Sequence, residues 1–257
     1  MTSQPLSWPD IDAGDLPVAA RATNYMGGEA TGAHHHPRHH QLIHAVHGVM
    51  VVVADAGQWI VPPTRGIWMP AGMTHSVRHL GEVHMRSLFV RPDAAPGLAE
   101  AAQVVGISPL LRELIQAAMD VARPYVPDSR DGRLMRLLLD ELRALPVLPM
   151  HLPHPADPRL QRICQHLQQR PDDASTLDDW AARLGVNPKT LQRLFTRDTG
   201  MGFGRWRQQA RLLHALERLA QGERVIDAAL AAGYDSPGAF ATMFKRQFGQ
   251  SPSGFFR

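Results

Sequence analysis

The sequence predicts an α+β protein in two parts, a β-barrel followed by helices. Three observations predict it. Between residues 20 and 92, short β-branched and apolar runs alternate with turn chemistry. From Pro158 onward, apolar residues recur at helical spacing. Between these regions the stretch PVLPMHLPHPADPR carries five prolines between 146 and 158. Proline cannot continue a helix, and it stiffens a linker.

The chain has 257 residues, enough for two modest domains. It is 44% hydrophobic and 20% charged, the composition of a globular protein. No apolar run is long enough to cross a bilayer, so no membrane partner is expected. The opening residues MTSQPLSWPDIDAGDLP place acids and prolines where a signal peptide needs a basic end and an apolar stretch, so a cytoplasmic protein is expected. Cys164 is the only cysteine, which excludes an intramolecular disulfide. Charge is uneven. Residues 156–257 hold 15 Lys and Arg against 10 Asp and Glu, while residues 1–155 hold 12 against 14 and also 12 of the 14 His. A basic part beside a His-rich one suggests a polyanion partner for the basic part.

The segment QLIHAVHGVMVVVADAGQWIVPPTRGIWMPAGMTH reads as strands bounded by Asp-Ala-Gly, Pro-Pro and Pro-Ala-Gly turns, which suits a small barrel or sandwich. The character changes near Pro92–Pro96, and residues 98–122 and 131–145 then show helical spacing. In DGRLMRLLLDELRAL, one stripe holds Leu134, Leu137, Leu138, Glu141, Leu142 and Leu145. That stripe fits equally a helix packed on the barrel and a dimer interface. The expected division is 1–97 for a barrel, 98–150 for a helical linker and 151–257 for the basic helical domain. Helices are expected there at 158–170, 177–184, 188–198, 203–221, 225–232 and 237–248.

LDDWAARLGVNPKTLQRLFTRDTG (177–200) has a helix, a turn containing Gly185, and a second helix. Asn187 is a good N-cap and Pro188 occupies the first helical position, where its missing N–H costs nothing. Ala181, Leu184, Leu191, Leu194 and Phe195 form one apolar face, the plan of a helix-turn-helix. VIDAALAAGYDSPGAFATMFKRQFG (225–249) repeats it. Gly185 aligns with Gly233. Past a one-residue insertion, Asn187 aligns with Ser236, Pro188 with Pro237, Leu191 with Phe240, Leu194 with Met243, Phe195 with Phe244 and Gly200 with Gly249. The stretch FGRWRQQARLLHALERLAQ joins the copies as one long helix. A rigid helix can set two recognition helices into successive major-groove segments, about 34 Å apart per turn.

The repeated helix-turn-helix ending in AALAAGYDSPGAFATMFKRQFGQSPSGFFR resembles the AraC/XylS family of bacterial transcription regulators. The resemblance covers about a hundred residues. It implies a regulator of double-stranded promoter DNA, with RNA polymerase a possible partner and a homodimer expected. Helix geometry exposes Lys189, Thr190, Gln192, Arg193, Thr196 and Arg197 on the first recognition helix, opposite its apolar face. Gln192 and Arg193 are the expected base readers, because such side chains pair bidentately with A and G edges. On the second recognition helix the matching face is Gly238, Ala239, Ala241, Thr242, Lys245 and Arg246, headed by Ser236. Its first turns are small, which suits phosphate approach more than base reading. The sequence leaves activation and repression open.

Residues 34–47 read HHHPRHHQLIHAVH, with seven His. The spacing His34-x-His36, Gln41, Gly48, followed by Pro70-x-Gly72-x-x-His75, resembles the two motifs of the cupin barrel, with Gln41 where Glu is commoner. On that resemblance His34 and His36 share a strand face, a hairpin returns Gln41, and a later strand supplies His75. If His40 rather than Gln41 points inward, the fourth ligand changes. Three imidazoles and an amide oxygen suit a divalent transition metal: Zn, Ni, Fe, Mn or Co. The other reading is a polar pocket for a small-molecule effector, with no metal. His35, His39, His40, His44 and His47 read mostly as outward or rim residues, and Trp59 and Trp68 as barrel core. A metal-dependent cupin enzyme with an appended DNA-binding domain is the alternative function. The absence of a dedicated carboxylate and the hundred residues given to DNA weigh against it.

Overall fold

The computed structural model describes residues 11, 14–63, 65–148, 151–248 and 251–255. The N-terminal leader reading, Gly249 as the partner of Gly200, and the last two residues of the C-terminal string fall outside these. The chain is α+β. It divides into residues 1–54 with 59–151, rich in strands, and residues 152–257 with the turn 55–58, in which helices dominate. Among the described residues no helix is long and apolar enough to cross a membrane.

In the first unit the strands are β1 (Val18–Tyr25), β2 (Ala30–His34), β3 (His40–Ala54), β4 (Gly57–Val61), β5 (Arg65–Met69), β6 (His75–Val90), β7 (Gln103–Gly106) and β8 (Val147–Leu148). They run in the order β1-β6-β3-β5-β7-β8, with β2 also on β6 and β4 also on β3. The long antiparallel pair β3–β6 is the spine. β2 pairs with the first half of β6 and β1 with its second half, while β5 pairs with the first half of β3.

Register sorts the side chains onto two faces, because residues directly opposite in a ladder share a face. One face carries Ala19, Gln41, Ile43, Ser87 and Phe89, with Ile11 packed on Ala19 and Phe89. The other carries Val18, Ala20, Leu42, Trp68, Leu88, Val90 and Val105. Helices α1 (Pro109–Ala118) and α2 (Arg130–Arg143) cover this second face with Leu111, Leu114, Ile115, Met135, Leu138, Leu139 and Leu142. With both faces buried, the spine strands read as nearly continuous apolar runs rather than alternating ones.

Three expectations are corrected. The helix expected over 98–122 is a strand, β7, and then a helix. Val104 and Val105 favour an extended backbone, and the helix starts only where Ser108 caps it and Pro109 fills its first position. Residues 98–150 are therefore no plain helical linker. β7 and β8 extend the sheet past residue 97, and α1 and α2 belong to its core. The buried stripe of α2 is Met135, Leu138, Leu139 and Leu142, and Leu137 is exposed. Glu141 meets the hydroxyl of Ser108 at 3.3 Å, and this polar contact belongs at the edge of the packed stripe.

In the second unit, a strand β9 (His151–Pro153) leads to helices α3 (Pro158–Gln169), α4 (Leu177–Leu184), α5 (Pro188–Thr199), α6 (Phe203–Ala220), α7 (Val225–Ala231) and α8 (Pro237–Phe248). α6 packs against α3, α5 and α7. It buries Phe203, Trp206, Ala210, Leu212, Leu213, Ala215, Leu216 and Leu219. The Trp206 indole N–H donates to the Pro153 carbonyl at 3.0 Å, so the largest side chain of the helix is satisfied inside the core.

His44 corrects another expectation. It is fully buried on the helix-covered face, where its Nδ1–H donates to the Arg65 carbonyl at 2.8 Å. Burial pulls its pKa down to about 4, aided by Arg112 and Arg86 and opposed by the hydrogen bond. A depressed folded-state pKa makes its stability contribution complete above the unfolded value of 6.5 and lost as pH falls toward 4. Thermal melting of the full chain is therefore expected at lower temperature as pH drops through that window. The slope is expected to be shallower in His44→Asn, whose amide can still donate but does not titrate.

Candidate functional site

The histidine cluster forms where two turns meet. β2 ends at His34, and His36 lies in the loop after it. The expected shared strand face is thus replaced by a strand end plus a loop. The expected hairpin to Gln41 is also absent, because β6 lies between β2 and β3. His75 opens β6, in register with His34. The Pro70–Met73 turn is tied to the loop by the Gly72 N–H donating to the His36 carbonyl at 2.9 Å and the Ala71 N–H donating to His40 Nδ1 at 3.0 Å. Gly72 takes a φ of 76°, which favours glycine.

These constraints converge His34, His36 and His75, whose ligand nitrogens lie within 4.8 Å of one another. The rings of His34 and His75 are 4.4 Å apart. His34 Nδ1 lies 2.8 Å from the Gly32 carbonyl and His75 Nδ1 lies 3.0 Å from the Met73 carbonyl. A carbonyl only accepts, so each neutral ring carries its proton on Nδ1 and its lone pair on Nε2. His75 Nε2 is buried with no hydrogen-bond partner. Burial drops the His75 pKa to about 4, with the neighbouring His34, His36 and His35 adding to the fall against the Met73 bond. Neutral imidazoles with converging lone pairs can bind a divalent transition metal. Gln41 sits opposite Phe89, against whose ring the edge of His36 packs at 4.9 Å. Its Nε2 donates to Ser87 Oγ at 3.3 Å, and its buried Oε1 has no partner.

His39 is buried as well, a further departure from the rim reading, and His40 is half-buried. Sequence reasoning missed the two backbone acceptors. Their signal is a residue two positions before each histidine, in Gly32-x-His34 and Met73-x-His75. A cavity of about 530 Å³ lies elsewhere, lined by Leu16, Pro17, Tyr125, Met135, Leu139 and neighbours beside α2.

The second candidate surface is the outer face of α5 and α8. Asn187 caps α5 by accepting from the Lys189 N–H, and Gly185 ends α4 in the left-handed region at φ 63°. Leu191, Leu194 and Phe195 are buried. Lys189, Gln192, Arg193, Thr196 and Arg197 are exposed, and Thr190 is half-buried. On α8, Phe240, Met243 and Phe244 are buried, while Gly238, Ala239, Thr242, Lys245 and Arg246 are exposed. Ser236 accepts from the Ala239 N–H at 3.2 Å, so it caps the helix.

Several arginines of this unit are paired with acids. Arg159, Arg218 and Arg224 bridge to Asp157, Glu223 and Asp227 at 2.7, 2.7 and 2.6 Å. Among the described residues, the side chains of Lys189, Arg193, Lys245 and Arg246 make no ion pair. Arg197 is the exception on the face, with Nε donating to the buried Asp198 at 2.8 Å. Unpaired exposed cations, Lys189 and Arg193 in the first half of α5 and Lys245 and Arg246 in the last turn of α8, are available to phosphates and bases.

Residues 17–182 match the family model described as an AraC-like ligand binding domain, and residues 180–257 match a helix-turn-helix domain. The regulator NimR of Escherichia coli is 34% identical over 88% of this chain and 83% of its own. RipA of Corynebacterium glutamicum is 32% identical over 40% of this chain and 31% of its own. The solved C-terminal domain of AraT from Geobacillus stearothermophilus is 29% identical over 39% of this chain and 85% of that one, with a TM-score of 0.37.

Packing and function separate cleanly on α5. Arg193→Ala is expected to change stability by no more than about 0.5 kcal/mol. Phe195→Ala, at a fully buried position, is expected to cost about 3–5 kcal/mol. Chemical denaturation of both variants checks the contrast.

Proposed function

The chain belongs to the AraC-type family of DNA-binding transcription regulators, and on that premise we propose that a divalent metal held by His34, His36 and His75 is its effector or part of its effector site. The observation that carries this reading is the buried His75 Nε2, which has no hydrogen-bond partner and faces two further imidazoles within ligand distance. The donor set fits Zn, Ni, Fe, Mn or Co: three neutral nitrogens, two with Nδ1 fixed by a carbonyl. Gln41 Oε1, buried without a partner opposite the Phe89 on which His36 packs, is the candidate fourth donor. Bound there, the metal would offer an open position to an oxygen or nitrogen of a small-molecule effector.

On the DNA side, Gln192 and Arg193 read bases and Lys189, Thr190, Thr196 and Arg197 complete the first contact face. Ser236, Gly238, Ala239, Thr242, Lys245 and Arg246 form the second face. There, Lys245 and Arg246 meet phosphates, and the small residues let backbone approach the duplex. The chain acts as a homodimer. Leu110 on α1 and Leu137 on α2, both exposed, support a contact through these helices.

Two measurements test the proposal. Metal analysis and titration of the full chain are expected to give one metal per chain, with affinity at least about tenfold lower in His75→Ala. Equal metal affinity in the variant contradicts the metal reading. Selection from random duplexes followed by competition binding is expected to give a defined operator. Arg193→Ala should weaken its binding by about 5- to 100-fold and relax preference at one position. A uniform loss on every sequence would reduce Arg193 to a phosphate contact.

A further inference from the structure

The side chain of Gln192 rests against a glycine on another helix. A Cβ placed on Gly202, the N-cap of α6, would fall 2.9 Å from Gln192 Nε2 and 4.0 Å from its Cδ. Beyond its chain neighbours nothing else lies within 4 Å of that Cβ. The Gln192 side chain makes no hydrogen bond among the described residues, so its amide keeps both donor and acceptor for an incoming base edge. Gly202 itself needs no glycine for its backbone. Its φ of −74° and ψ of 158° are open to any residue.

The second copy of the repeat repays comparison at these two positions. At the register that aligns Leu191 with Phe240, Gln192 aligns with Ala241 and Gly202 aligns with Ser251. Ser251 precedes the short 3-10 turn Pro252–Gly254 as its N-cap, at φ −72° and ψ 154°, nearly the angles of Gly202. One copy pairs a long polar side chain with a glycine, and the other pairs alanine with a side chain. The backbone accepts a serine in one copy, and in the other the Gln192 amide is the neighbour that a side chain at Gly202 would have to displace.

We infer that Gly202 is a specificity-determining position: its bare Cα is the seat that fixes the Gln192 amide for base reading. It is a positioning residue, acting through Gln192 without touching the base. This rests on the proposal that Gln192 reads DNA. A seated amide loses less rotamer freedom on binding, so it discriminates more sharply between base pairs.

Gly202→Ser is the test variant, because serine keeps a good N-cap and puts a Cβ where the amide lies. Base preference of the full chain is measured on a library of single-position operator variants. The variants are Gly202→Ser, Gln192→Ala and the double substitution, each with its melting temperature and salt slope. Gly202→Ser is expected to lower discrimination at one base pair by about 5- to 10-fold. Its salt slope, which counts phosphate contacts, should not change. Adding it to Gln192→Ala should alter the profile no further. An unchanged profile in Gly202→Ser alongside a changed one in Gln192→Ala overturns the inference. So does an equal effect of Gly202→Ser with and without Gln192. If Gln192→Ala changes no preference, the base-reading proposal falls, and the seat with it.

Discussion

Burial of α6 is the constraint on which the helical unit depends. Most of the helix faces protein, with apolar side chains from Phe203 to Leu219 in the core, and helices apolar on most sides are core elements. Polar side chains on the same helix are used as ties. Arg207 donates to the Ser175 carbonyl at 2.8 Å, and Arg211 to those of Pro171 and Asp173 at 2.7 and 3.1 Å. Asp173 is held as a carboxylate, with a pKa down to about 2. Burial opposes ionisation there, but hydrogen bonds from Ser175 and His166 outweigh it. α5 packs on α6 directly and α8 through α7, so the two recognition helices are related through one central element. Each copy has only to cap its own helix and bury its own aromatic, Phe195 or Phe244.

The sheet unit solves a different problem. Covering one face with α1 and α2 commits Leu42, Trp68, Leu88 and Val90 to packing, and His44 on that face is tied to the Arg65 carbonyl through one ring nitrogen. The cluster of His34, His36 and His75 stands at the ends of β2 and β6 instead, where the ladder gives way to turns. The register break between Thr31 and His34 in β2 and the turn before β6 leave the Gly32 and Met73 carbonyls free to fix a tautomer, which a regular ladder would have consumed.

Much of the helical unit was legible in the sequence because caps and periodicity agree there. Asn187-Pro188 and Ser236-Pro237 start helices where expected, and the helix bounds fall within a residue or so of the spacing. The sheet unit was less legible. A strand buried on both faces loses its alternation, so parity does not show where His44 points, and the burial of His39, in the loop before β3, has no periodic signal at all. The convergence of His34, His36 and His75 was visible only through a motif resemblance, since their contact spans about forty residues of chain. The 98–122 region misled because Val104 and Val105 share their apolar character with the helix that follows. The packing of Gln192 on Gly202 has no sequence signal except the reciprocal pair in the second repeat.

The central claim is that one buried helix fixes two DNA-contacting helices at a set separation. Ethylation interference on a selected operator tests it most directly, because it maps phosphates without regard to base identity. Two clusters of blocked phosphates on one face of the duplex, about 10 base pairs apart, are predicted for each chain, with affinity collapsing when five base pairs are inserted between them. A single cluster, or two whose spacing can be changed without loss of affinity, would contradict the account.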